Sequence, residues 1–250
     1  MPRFFTDSVS GGNVVLTGED ARHISRSLRM KQGEKITVCD FAGTEYECEI
    51  ERLCDSEVSL KVLSSHPSES EPTVSVTVYQ ALTKGDKFDT IVQKAVELGA
   101  SRIVPVITER CVSRPDERSL AKKCERWRKI ALEAAKQCGR ARIPIVSDAV
   151  TVKDAAEEMT KCTLSFVCYE KETERSLRSF LEENTNITDA GEKFTLSFLI
   201  GSEGGLADAE ADFFRSHGIK TVSLGKRILR TETAPIAVLS AVMYITRNLE

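Results

Sequence analysis

The chain has 250 residues, 41% apolar and 29% charged, a composition that fits a soluble globular protein and excludes a disordered or fibrous one. Its formal net charge of -3 gives no bulk attraction for a polyanion, which excludes a non-specific nucleic-acid coat and leaves any RNA contact to local basic patches. No apolar run approaches the roughly 20 residues that span a bilayer, and MPRFFTDSVS lacks the basic-then-apolar pattern of a secretory signal, so a cytoplasmic location is expected.

Up to about residue 70, short β-prone pieces recur at Asn13–Leu16, Lys35–Asp40, Glu45–Leu53 and Val58–Leu63, divided by Gly18, Gly33, Gly43 and Asp55-Ser56. Regular short strands with such turn residues predict a small barrel or sandwich. The exception is Gly18–Met30, a short helix with Ile24, Leu28 and the stem of Arg29 on one side and arginines on the other. His66–Pro72, polar and with two prolines, is the expected linker, dividing a domain of residues 1–70 from one of residues 73–250.

Beyond Pro72 strands and helices alternate. Val74–Leu82 reads as a strand, and Lys87–Leu98 places Phe88, Ile91, Val92, Ala95 and Leu98 at helical spacing before a stop at Gly99. Ile103–Ile107 is a strand, and Leu120–Cys138 carries Leu120, Cys124, Trp127, Ala131, Ala134 and Cys138 on one stripe, ended by Gly139. Trp127 reads as core, not as a platform for stacking bases. Strands at Leu164–Cys168, Phe194–Ile200 and Lys220–Leu224 and a helix at Ala207–Phe214 follow, predicting a mainly parallel sheet covered on both faces. The last helix, from about Pro235 to Asn248, is apolar nearly all round, so it is expected inside the domain or in a dimer interface. The eight cysteines, Cys39, Cys48, Cys54, Cys111, Cys124, Cys138, Cys162 and Cys168, form no CxxC pair and are joined by only three histidines. No metal is expected, and the thiols read as reduced and mostly buried.

Three glycine-bearing loops fall where parallel α/β sheets bind ligands, at the carboxyl ends of strands. They are Ile200-Gly201-Ser202-Glu203-Gly204-Gly205-Leu206, Ser223-Leu224-Gly225-Lys226-Arg227, and Ile228-Leu229-Arg230-Thr231-Glu232-Thr233-Ala234-Pro235. Glycine lets backbone approach a ligand and adopt positive φ. Neither GxGxxG nor GxxxxGK[ST] is present, so nicotinamide and ATP chemistry lose support. Thr231 or Thr233 is placed to cap the last helix, with Pro235 in its first turn.

Together, in this order near the C-terminus, the loops resemble the SPOUT-class methyltransferases, in particular the RsmE family that methylates N3 of a uridine in 16S ribosomal RNA. The resemblance extends to His23–Gly33, Lys84-Gly85-Asp86-Lys87-Phe88-Asp89, Gln93–Gly99, Glu125-Arg126-Trp127 and Glu133–Arg140. It implies an α/β methyltransferase domain whose C-terminal segment forms a trefoil knot, preceded by a small PUA-like RNA-binding β-barrel. It also implies a homodimer, with S-adenosylmethionine as cofactor and the small ribosomal subunit as partner. Ser202 stands where that family usually has proline, which leaves a backbone N–H to satisfy and a less rigid turn.

On this reading Ile200, Gly201, Gly204, Gly205, Leu224, Gly225 and Leu229 surround the adenosine. A neutral uridine N3 carries a proton, so a base or a cation stabilising the uracil anion helps the transfer. Glu203 and Glu232 are the candidate bases and Arg230 the candidate cation. Arg22, Arg26, Arg29 and Lys31, with Arg110, Arg114 and Arg140, are the expected RNA contacts. Two other readings stay open: a non-catalytic RNA-binding or assembly factor on the same fold, and a related knotted enzyme acting on ribose or transfer RNA.

Overall fold

The computed structural model describes residues 1–54, 56–184 and 194–249; Asp55, of the turn read at Asp55-Ser56, lies outside them. The chain divides into two compact units, Met1–Glu71 with Ala135–Ile143, and Pro72–Ala134 with Pro144–Glu250.

The first unit is built on six strands: β1 (Arg3–Phe5), β2 (Val9–Ser10), β3 (Asn13–Thr17), β4 (Lys35–Cys39), β5 (Thr44–Leu53) and β6 (Glu57–Pro67). Their order is β1-β4-β5-β6-β3-β2, antiparallel except for β1 against β4. Val14 and Leu16 alternate inward along β3 and meet Ile36, Val38, Cys48, Ile50, Val58 and Leu60 in one core, the period-2 pattern of a half-buried strand. Register shifts at Glu47/Cys48 and Ile50/Arg52 bend the long β5–β6 ribbon. Helix α1 (Gly18–Arg22) runs into a π turn at His23–Ser27, which buries Ala21 and Ile24 and leaves Arg22, Arg26, Arg29 and Lys31 exposed.

The second unit holds one parallel sheet in the order β10-β8-β7-β12-β11-β13, with β9 also on β8. The strands are β7 (Ser75–Ala81), β8 (Arg102–Ile107), β9 (Ile145–Val146), β10 (Val150–Thr151), β11 (Leu164–Cys168), β12 (Thr195–Ile200) and β13 (Lys220–Val222). Leu196–Ile200 of β12 is buried throughout, as a central parallel strand covered on both faces must be. Helices α2 (Lys87–Glu97), α3 (Glu117–Cys138), α4 (Val152–Met159), α5 (Leu177–Asn184), α6 (Asp208–Ser216) and α7 (Ala234–Ile245) connect the strands. Helices α4 and α6 pack Ala155, Met159, Ala211 and Phe214 against Tyr79, Val104, Val167 and Leu199 of the sheet. Phe166 meets Phe180 of α5 edge-on at 5.2 Å, and α7 packs against α2 and α5.

Gly99 ends α2 at φ +86, with the Ala100 N–H returning to the Ala95 carbonyl at 2.9 Å. Gly139 ends α3 in the same manner at φ +82; glycine takes this left-handed position at low cost. The pattern reading missed β1, β2, β9, β10 and α4. The first four have two or three residues, too few to show a period, and α4 has a Thr151–Asp154 capping box but only Ala155, Ala156 and Met159 as its buried stripe. Trp127 is buried, stacked on Phe88 at 4.0 Å, with its indole N–H on Asp89 at 3.0 Å, so it is a core residue. All eight cysteines are free, and only Cys54 is exposed.

Candidate active site

The carboxyl ends of β11, β12 and β13 and the start of α2 surround one cleft of about 530 Å³, an ordinary size for a small-molecule site. Ile200, Gly201, Gly204, Gly205, Leu224, Gly225 and Leu229 all line it, as do Glu203 and Arg230. The loop after β12 is tight. The Gly205 N–H donates to the Ser202 carbonyl at 2.9 Å, Gly205 has φ +69, and a Cβ on Gly201 would lie 2.8 Å from the Gly205 carbonyl carbon. Larger residues would fill the space these glycines keep for backbone. By contrast nothing lies within 4 Å of where a Cβ on Gly225 would stand, so that glycine serves its φ of +102.

Ser202 uses the freedom that a proline would lack. Its hydroxyl donates to the Arg110 carbonyl at 3.1 Å, tying the glycine loop to the segment after β8. Glu210 adds a second tie, accepting from the N–H of Ala207 at 3.0 Å and of Glu109 at 2.8 Å. A third runs deeper: the buried Gln80 at the end of β7 donates through Nε2 to the Gly201 carbonyl at 3.3 Å and to Thr231 Oγ1 at 3.1 Å. Thr231 therefore does not cap α7; Thr233 holds that position without a side-chain cap bond, and Pro235 stands in the first turn.

The three residues singled out for proton and charge handling form one cluster, joined by a residue that the sequence left without a role. Lys87 Nζ lies 3.1 Å from Glu203 and 3.6 Å from Glu232, and Arg230 lies 3.9 Å from the other oxygen of Glu232. The Lys84 N–H also donates to Glu203 at 3.0 Å. Partial burial alone would raise the Glu203 pKa, but its own N–H, that of Lys84 and the Lys87 ammonium outweigh it and hold the carboxyl below its ordinary value. Glu232 Oε2 is buried without a hydrogen-bond donor. The signal that could have found Lys87 is its place in the first turn of the helix after β7, at the same sheet edge as the loops.

Of the expected RNA contacts, Arg22, Arg26, Arg29 and Lys31 are exposed in the first unit and Arg110 and Arg114 in the second. Arg110 donates to the Gly204 carbonyl at 3.1 Å, and Arg114 braces Glu109 and Cys111 carbonyls. Arg140 corrects the reading: its side chain is 5% exposed and lies 2.7 Å from Glu71, whose other oxygen takes the N–H groups of Ala141 and Arg142. A buried guanidinium committed to a carboxylate cannot reach phosphate. Among the described residues no group of His, Cys, Asp and Glu could hold a metal ion, and no helix is long and apolar enough to cross a membrane.

A parallel α/β sheet with glycine loops closing one cleft at its carboxyl edge is the architecture of a cofactor-binding α/β domain, and the family comparison gives its class. The family model for an RNA methyltransferase domain matches residues 69–243, and that for an RNA methyltransferase PUA domain matches residues 16–63; the chain is an RNA methyltransferase. Ribosomal RNA small subunit methyltransferase E of Bacillus subtilis (strain 168) is 36% identical over 234 residues, covering 94% of this chain and 91% of that protein. Its namesake in Aquifex aeolicus is 31% identical, covering 96% and 98%. The crystal structure of ribosomal RNA small subunit methyltransferase E from Neisseria gonorrhoeae, bound to S-adenosyl methionine, matches with a TM-score of 0.83 and 29% identity over 98% of each chain. The chain belongs to the ribosomal RNA small subunit methyltransferase E family.

Proposed function

We propose that this enzyme transfers the methyl group of S-adenosylmethionine to N3 of a uridine in 16S ribosomal RNA, on the assembled small subunit and in the cytoplasm. The observation that carries the reading is the Lys87–Glu203–Glu232–Arg230 cluster at the three-loop cleft, because an acceptor nitrogen that must lose a proton needs a base and a nearby cation. The cleft suits the cofactor: its apolar walls include Ile200, Leu224 and Leu229, and Gly201 and Gly205 leave backbone bare. When bound, S-adenosylmethionine supplies a methyl group already activated by its sulfonium.

The chain's own residues do the rest. Glu203, held ionised by Lys84 and Lys87, keeps Lys87 in place. Glu232, beside the cleft, takes the N3 proton on Oε1, the oxygen that faces Arg230, while its buried Oε2 faces Lys87. Arg230, 83% exposed at its side chain, offsets the charge that develops on the uracil oxygens. Arg22, Arg26, Arg29 and Lys31, with Arg110 and Arg114, hold phosphates, which position the strand without reading its sequence. The uridine is unpaired or turned out of its helix.

Residues 1–70 act as the PUA-like RNA-binding module and residues 73–250 as the catalytic domain with a trefoil knot. Support for the knot comes from the path after β13. Ser223 still pairs beside Ser176 at the sheet edge, yet Thr231 is bonded to Gly201 and Gln80 at the ends of β12 and β7, before α7 packs on α2 and α5. The enzyme works as a homodimer, with the half-exposed Ile236, Ala237 and Ala241 and the exposed Tyr244 of α7 in the interface; a helix apolar all round needs cover on this face too.

The test is transfer of labelled methyl to unmodified small subunits and to free 16S RNA, followed by nucleoside analysis. N3-methyluridine from subunits is the expected product. A 2′-O-methylated nucleoside, or labelling of transfer RNA alone, would replace this reading with that of a related enzyme.

A further inference from the structure

One carboxylate in the cleft has no part in the proton handling above. Glu170 follows the end of β11, the strand paired beside β12, and lines the cleft. It rests over Gly205: a Cβ on that glycine would fall 2.7 Å from the Glu170 Cδ and 2.9 Å from Oε2. Arg110 lies 3.7 Å from Oε1, too far for a hydrogen bond, and among the described residues no donor reaches either oxygen. Glu203, the other carboxylate of the lining, is already committed to Lys84 and Lys87.

We propose that Glu170 reads the ribose of the cofactor's adenosine, accepting hydrogen bonds from its 2′ and 3′ hydroxyls; this rests on the cofactor reading above. Two adjacent hydroxyls present two donors side by side, the complement of a carboxylate with both oxygens open. In open α/β sheets an acidic residue plays this part for dinucleotides near the glycine loop, and Glu170 lies two residues beyond the end of the strand next to the one that feeds the glycine loop here. Arg110 offsets part of its charge, which suits neutral hydroxyl donors better than the ammonium of the amino-acid end. Gly205 leaves the carboxylate room to sit low in the cleft.

The experiment is calorimetric titration of the full chain with S-adenosylhomocysteine, its 2′-deoxy and 3′-deoxy counterparts, and an analogue lacking the α-amino group. It is run on the wild type, Glu170→Ala and Glu170→Gln, with thermal melts to confirm folding. Hydrogen bonds to a charged acceptor predict that the wild type prefers the ribose form over either deoxy form by about 10- to 100-fold. Glu170→Ala loses about that much affinity and shows no preference, while Glu170→Gln retains a reduced one; if the alanine variant does not fold, the glutamine variant carries the comparison. Full affinity or undiminished discrimination in the variants overturns the proposal. So does a loss that appears only against ligands bearing the α-amino group, which places Glu170 at the ammonium. A wild type that binds none of these ligands removes the cofactor reading itself, and the ribose assignment with it.

Discussion

The Thr231 hydroxyl donates to the Gly201 carbonyl at 2.8 Å while accepting from the buried Gln80 amide at 3.1 Å. One hydroxyl thus couples the loop after β12 to the loop that enters α7, and both walls of the cleft depend on it. Thr231→Val keeps the shape, removes the hydroxyl and takes one acceptor from Gln80. The expected cost is about 1–3 kcal/mol of stability, together with a roughly tenfold loss of S-adenosylmethionine affinity that Thr231→Ser restores. Denaturant unfolding and calorimetry measure the two; a destabilised protein with undiminished affinity would show that the tie holds the fold without shaping the cleft.

Lys87 lets the acid side of the pH profile be predicted with its sign. The Glu203 carboxyl is held below its ordinary value of 4.5, so its charge and the stability it contributes are fully present above that value and are lost as pH falls through the depressed one. Lys87→Met removes one of the groups holding it down. The stability of the variant should begin to fall at a higher pH than that of the wild type, and its kcat at neutrality should be lower because Glu232 loses its neighbouring cation. Thermal melts from pH 4 to 8 and the rate at neutral pH decide this; an unshifted acid limb of the melts would free Glu203 from Lys87.

Much of this site was legible because its chemistry is written in consecutive residues. The three loops each announce themselves by glycine after a strand, and the parallel strands by unbroken apolar runs such as Leu196–Ile200, which burial on both faces requires. Lys87, Glu170 and Gln80 were not legible. Gln80 and Lys87 reach the loops from the end of β7 and the helix after it, and Glu170 from beyond the end of β11, a proximity made by sheet order, and a lone charged or amide side chain carries no periodic signal. Arg140 failed for the converse reason: its neighbours Lys136 and Arg142 suggest a solvated basic face, and nothing local reveals that Glu71 meets it in the fold.

That correction separates two kinds of arginine. Removing one partner of a buried pair strands the other, so Arg140→Ala is expected to destabilise the protein by about 3–5 kcal/mol. Arg29→Glu, at an exposed position, should leave the melt unchanged, weaken RNA binding whatever the sequence, and lessen its dependence on salt. Thermal melts and salt-dependent filter binding on both variants separate the roles. Equal melts with RNA binding lost only in Arg140→Ala would return Arg140 to the RNA surface.

Gly205 and Glu170 make a cycle in which steric and conformational costs separate. At φ +69 an alanine at Gly205 is strained in any surroundings, a cost of about 1 kcal/mol. Its Cβ would also collide with the Glu170 carboxylate, which lies under 3 Å from where that atom would stand. The strain is indifferent to residue 170; the collision is not. Gly205→Ala should therefore destabilise the wild type more than it destabilises Glu170→Ala, so the two substitutions are non-additive as contacting residues are. Denaturant unfolding of the four proteins gives the coupling directly. Additive costs would mean that Glu170 does not rest on Gly205 in solution, and the glycine would then be required for its backbone angle alone.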